Sequence, residues 1–119
     1  MNIEAFRDHC LSKKGVEETF PFDDVTLVFK VMGKMFALTG LDAEEFKVNL
    51  KCDPEKCIGL REQYPDDIYP GWHMSKTHWN TVHFENGLET ALLKELIDHS
   101  YDLVVSKLTK KLKAELEQL

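Results

Sequence analysis

The sequence predicts an α+β fold, a two-layer sandwich with helices packed on one face of an antiparallel sheet. Two observations carry this expectation. Hydrophobic residues alternate with period two in successive stretches between residues 25 and 51, and stretches of helical spacing come before, between and after the strands. The order of helix, three strands, helix, one or two strands and a long terminal helix offers too few β-α-β alternations for a parallel sheet.

The elements follow in order. Asn2 stands as an N-cap, Ile3, Phe6, Cys10 and Leu11 repeat at helical spacing, and Lys13, Lys14 and Gly15 form a basic last turn and a stop, so the first helix is expected over residues 3–13. A loop containing Pro21 precedes VTLVFKV, in which Val25, Leu27, Phe29 and Val31 share one parity. Met32, Gly33 and Lys34 turn that strand into MFALT as a hairpin. Phe46, Val48 and Leu50 alternate with Lys47, Asn49 and Lys51, the pattern of a strand with one wet face.

Asp53 as N-cap and Pro54 in the first turn open a second helix, and Pro65 closes it, with Cys57, Leu60 and Tyr64 along one face. A loop or short strand around residues 68–73 leads to the strand HWNTVHF. Asn86 and Gly87 then turn the chain into a helix marked by Leu88, Leu92, Leu96, Ile97, Val104 and Leu108, continued by Leu112 and Leu116 after a break near Thr109. There is no internal repeat or linker, and residues 1–119 are expected to form a single domain.

A chain that is 43% hydrophobic and 30% charged has the balance of a globular protein. No apolar run approaches the roughly 20 residues that span a bilayer, and MNIEAFRDHC lacks an apolar signal core. No membrane association and a cytoplasmic location are therefore expected. Cys10, Cys52 and Cys57 are an odd set, without the dense even spacing of a secreted scaffold, and are read as reduced structural thiols. The net charge of -6 opposes nonspecific attraction to phosphates, so any nucleic acid would have to meet a local patch.

Chemical motifs are few. His73, His78 and His83 recur every five residues, which places them on neither one helical face nor one strand face, and Cys52 and Cys57 lack a second pair. Neither a metal site nor a cofactor is expected. Ser75 and Thr77 stand near histidines without a nucleophile elbow, and there is no phosphate-cradling glycine loop. The acidic pairs, such as Asp23 with Asp24 and Glu44 with Glu45, are adjacent in loops, where their side chains diverge. No catalytic residue is assigned, and no motif supports an enzyme.

One constellation stands out. YPGWHMSKTHWNTVHF, residues 69–84, holds both tryptophans, three of the five histidines and no acid, although the rest of the chain is acidic. If Val82 and Phe84 face the core, parity puts Trp79, Thr81 and His83 on the opposite face, with Lys47, Asn49 and Lys51 of the other strand. An open face carrying an exposed aromatic and lysines would suit nucleic acid; Trp79 as a core residue is the competing reading. A second basic cluster, Lys107, Lys110, Lys111 and Lys113, is explained by the preference of helix C-termini for cations.

FPFDDVTLVFKVMGKMFAL, VNLKCDPEKCIGLREQYP and YPGWHMSKTHWNTV resemble, in order and spacing, three blocks of the MmcQ/YjbR-like family of small bacterial proteins. The resemblance implies a CyaY (frataxin-like) fold and a DNA-binding role through what is described as a double-wing motif. Met32 stands where the family often has Gly, and Ser75 where it often has Asn. On that reading the DNA-contacting candidates are Lys47, Lys51, Lys76, His78, Trp79 and His83: lysines on phosphates, Trp79 stacking, histidines adding charge as pH falls toward about 6.5. Pro70 and Gly71 would shape the loop. The alternative is a protein- or small-ligand-binding module with Trp72 and Trp79 as anchors. Metal handling by analogy of fold finds only Glu4 and Asp8 as scattered acids on the first helix.

Overall fold

The computed structural model describes residues 1–119. Helix α1 (Ile3–Leu11) is followed by strands β1 (Val16–Thr19), β2 (Thr26–Val31), β3 (Lys34–Gly40) and β4 (Lys47–Lys51). Then come helix α2 (Pro54–Gln63), strands β5 (Ile68–Pro70) and β6 (Trp79–His83), and helices α3 (Thr90–Ser106) and α4 (Lys110–Glu117). The six strands form one sheet in the order β1-β2-β3-β4-β6-β5, antiparallel at every junction. No helix is long and apolar enough to cross a membrane.

The expected elements form for the expected reasons. Asn2 Oδ1 accepts from the Ala5 amide at 2.8 Å and starts α1, which ends at Leu11, two residues before the sequence-based limit. Met32 at φ 50° and Gly33 at φ 82° form a two-residue hairpin turn with both central residues left-handed, the geometry that matches strand twist. Met32 adopts that conformation without glycine's freedom, and its side chain packs against the main core. Pro54 opens α2, while Asp53 occupies the N-cap position without a side-chain cap bond. Thr109 accepts from the Leu112 amide at 3.2 Å, so the break near it is a new N-cap.

Two features depart from the sequence reading. Val16–Thr19, expected within a loop, is an edge strand paired with β2, Val16 opposite Val31 and Thr19 opposite Val28. Its sequence VEET has no hydrophobic alternation to announce it. The basic cluster is divided between two helix ends: Lys107 caps the C-terminus of α3, but Lys110 and Lys111 open α4, the end where the helix dipole disfavours cations.

The core lies between the sheet and the helical layer. Leu27, Phe29, Val31, Phe36, Val48, Leu50 and Val82 meet Phe6 and Cys10 of α1, Leu60 of α2, Leu93, Ile97 and Val104 of α3, and Leu116 of α4. Phe36 is an extra residue in β3: Phe29 pairs with Ala37 and Lys30 with Met35. This bulge puts Phe36 and Ala37 together in the core. Phe6 sits among Phe29, Phe46 and Phe84 in edge-on contacts at centroid separations of 5.4 to 5.5 Å. Ser100, buried in α3, donates to Phe36 O at 2.5 Å and accepts from the Lys51 amide at 2.9 Å, tying α3 to the sheet.

Candidate functional site

With every helix on one face, the other face of the sheet is covered only by loops. Register defines it. Val28, Leu38, Asn49, Thr81 and Tyr69 stand opposite one another across five strands, Lys47 opposes His83, and Lys51 opposes Trp79. The parity expectation for Lys47, Asn49, Lys51, Trp79, Thr81 and His83 therefore holds.

Of the two readings of Trp79, exposed or core, the core reading holds. The return from β5 to β6, residues 71–78, folds back over its indole, which packs with Val28, Leu38, Met35 and Met74 as a second, small core and is only 7% exposed. Gly71 makes this possible: a Cβ there would lie 2.8 Å from Trp79 Cβ and 3.1 Å from Trp79 O. The Gly71 amide donates to Trp79 O at 2.9 Å. Trp79 is thus unavailable to stack on a base. Its burial, worth on the order of 2 kcal/mol, fixes the loop to the sheet.

Trp72 is the aromatic that reaches solvent, at 71% exposure. Its backbone is held from both sides. The Trp72 amide donates to Thr81 Oγ1 at 2.9 Å, and Asn49 Nδ2 donates to Trp72 O at 3.1 Å. Thr81 Oγ1 in turn donates to Asn49 Oδ1 at 2.6 Å, closing the network. Next to it, His73 has φ 59°, and its ring meets that of Trp72 edge-on at 4.7 Å. A non-glycine residue in the left-handed region costs about 1 to 2 kcal/mol, so the loop's shape is imposed by its anchors.

Between this loop and the β1–β2 and β3–β4 connections lies a groove of about 700 Å³. Leu38, Asn49 and Thr81 form its floor, Tyr69, Trp72 and Met74 one side, and Phe22 and Ala43 the other. Phe22 is 64% exposed and lines the same groove as Trp72. Lys47 closes one end. Its ammonium lies 3.3 Å from Glu45 and 5.7 Å from the centre of the Tyr69 ring. The Tyr69 phenol, with help from Glu45, holds its pKa above the usual lysine value against the opposing effect of burial. His83 is half-buried behind it, its Nε2 3.4 Å from the Tyr69 hydroxyl and its Nδ1 3.8 Å from Glu45.

The other candidates lie apart from the groove. Lys51 is four residues from Lys47 on the same strand, about 13 Å away at roughly 3.3 Å per residue, in the row of Trp79. Lys76 and His78 are exposed on the loop. Their backbones have structural duties: Arg61 of α2 donates to Lys76 O, to Trp79 O at 3.3 Å and to Asn80 Oδ1 at 2.7 Å, and the Cys52 amide donates to His78 O at 2.8 Å. The lysines of α4 belong to the helical layer, across the sheet from all of these. Sequence reasoning singled out Trp72 and Trp79 as anchors and missed Tyr69, Met74 and Phe22. The only signal for Phe22 was an aromatic in the Pro21 loop with no periodic place in the core.

All three cysteines are free and buried. Burial pushes the Cys10 thiol up. Cys57 Sγ donates to Cys52 O at 3.6 Å, and the proximity of the two thiols pushes that of Cys52 up and that of Cys57 down.

The YjbR family model matches residues 11–103. YjbR of Escherichia coli strain K12 is 31% identical over 119 residues, covering the full length of both chains. YbdF of Escherichia coli O157:H7 is 42% identical over 97 residues, 81% of this chain and 78% of its own. Among solved structures, Deinococcus radiodurans protein DR2400 superposes with a TM-score of 0.92 at 40% identity, covering 98% of this chain and 88% of that one. A Pseudomonas syringae protein superposes at 0.73 and 28% identity over 87% of this chain and 98% of its own. The chain therefore belongs to the YjbR family.

Proposed function

We propose that this protein is a binding module whose site is the groove on the helix-free face of the sheet, and that it takes a small ligand there. The observation that carries the reading is a concavity of about 700 Å³ flanked by two solvent-exposed aromatics, Trp72 and Phe22. Small-molecule sites are typically clefts of roughly 300 to 1,000 Å³ lined by apolar and aromatic side chains with a few polar groups. The Asn49–Thr81–Trp72 network supports it further, because it holds a large apolar ring out in water instead of folding it inward. Ligand-observed NMR with a fragment library tests this. Hits competing for one site and lost in Trp72→Ala are expected; a library with no hits, or hits indifferent to Trp72, contradicts it.

DNA binding is the second reading, supported by the placement of Lys47, Lys51 and Lys76 on the same side of the sheet as Trp72. In this reading Trp72 takes the stacking role first given to Trp79, and the lysines meet phosphates. Titration of labelled single-stranded and duplex DNA across a salt series decides it. Affinity that falls steeply with salt and drops in a Lys47, Lys51, Lys76 triple substitution is expected, whereas no binding at low salt removes it.

A further inference from the structure

We propose, resting on the groove as a small-ligand site, that its ligand is a flat aromatic molecule carrying one anionic group, a carboxylate or a phosphate, which meets Lys47. Three observations converge. The first is charge. In a chain with 21 Asp and Glu residues, the groove lining contains no acid, and its one permanent cation is Lys47. The Glu45 carboxylate that contacts this ammonium is outside the lining and 63% exposed, so water screens it and a ligand anion inside the groove competes on good terms.

The second is the state of the polar groups on the floor. Asn49 Nδ2 is bound to Trp72 O, Asn49 Oδ1 accepts from Thr81, and Thr81 Oγ1 accepts from the Trp72 amide. These groups are spent on holding the loop and leave little for a ligand rich in hydroxyls, such as a sugar. A polar ligand would enter with its donors unmatched, each losing its hydrogen bonds to water without replacement.

The third is the character of the walls. Tyr69, Trp72 and Phe22 contribute rings to the lining, Met74 adds an apolar side chain beside them, and Leu38 is the apolar part of the floor. Aromatic rings gain from stacked and edge-on contact beyond the area they bury. A planar ring between these walls, with its anion directed to the Lys47 end, satisfies the apolar walls and the one permanent cation together.

The experiment uses the ¹⁵N-labelled full chain and three probes of one shape: 1-naphthoate, 1-naphthyl phosphate and the neutral 1-naphthamide. Each is titrated while the two indole N–H signals are followed. The Trp72 signal is expected to move and that of Trp79 to stay, with at least one anion binding tenfold or more tighter than the amide. Whichever anion binds tighter identifies the acid group. Lys47→Gln abolishes the preference for the anion, so that anion and amide bind with equal affinity, Lys47→Arg retains it, and Glu45→Gln tightens anion binding two- to threefold. Equal affinity of anion and amide, or a preference that survives Lys47→Gln, overturns the ligand class. If no probe binds at millimolar concentration while library fragments still bind against Trp72, the class falls and the groove stands; if nothing binds there, both fall.

Discussion

Trp72 and Trp79 belong to one acid-free segment and have opposite environments, one 71% and the other 7% exposed. The difference comes from single polar atoms. Thr81 Oγ1 both accepts from the Trp72 amide and donates to Asn49, so Thr81→Val leaves two polar groups without partners. A loss of about 1 to 3 kcal/mol is expected in urea unfolding, together with faster hydrogen exchange at the Trp72 amide. Unchanged stability and exchange would show that the network does not hold the loop. The fluorescence of the two indoles checks the burial itself. Trp72→Phe should leave blue-shifted emission poorly quenched by acrylamide, and emission that stays red-shifted and readily quenched would mean that Trp79 is in water. Parity in the sequence placed Trp79 on the correct face. It could not show the cover, because the path of residues 71–78 depends on hydrogen bonds to Thr81 and to Asn49, the latter on another strand and far from the loop in sequence.

Among the elements, α2 connects the helical layer to the loop, since Arg61 binds the carbonyls of Lys76 and Trp79. Its N-terminus leans on α3: the Asp53 amide donates to His99 Nε2 at 3.3 Å, which requires the neutral ring. Burial first, and Lys56 second, lower the His99 pKa below the ordinary 6.5. A histidine whose pKa is lower in the folded state binds protons more readily when unfolded, so stability present above about pH 6.5 falls as pH drops below it. The melting temperature should decline between pH 7.5 and 5.5, and His99→Gln should flatten that decline. A decline identical in the variant would assign the pH dependence elsewhere. At the start of β1, Gly15 has φ 73°, and a Cβ there would come within 2.5 Å of Leu116 Cδ1. Gly15→Ala is expected to cost about 1 to 2 kcal/mol in urea unfolding, and a neutral effect would contradict the packing of α4 on this turn.

Elements announced by their own residues were legible: β2 and β4 by alternation, β3 by the turn at Met32 and Gly33, α2 by Asp53 and Pro54, and the break before α4 by Thr109. β1 was not, because a short polar edge strand is defined by its pairing with β2 and carries no hydrophobic face of its own. The lysines of α4 show the same limit from the other side. They were assigned to a helix end by position, and only the cap at Thr109 reveals that it is the N-terminal end.

At the scale of the molecule, the central feature is asymmetry. Four helices cover one face of the sheet, and the opposite face has one returning loop and a groove. The architecture was legible because each amphipathic stretch must bury its stripe against something. The groove was not, because it is formed by what the loops leave uncovered. Net charge adds a constraint: at -6, attraction of any anion must come from a local site such as the Lys47 end and not from the molecule's overall field. The most direct test is the backbone and indole chemical-shift map of the ¹⁵N-labelled protein with its best-binding fragment. The account predicts shifts confined to Lys47, Asn49, Tyr69 to Met74 and the Phe22 loop, with the Trp79 indole and the helical layer unmoved. Shifts centred on α3 and α4, or spread evenly over the chain, would contradict it.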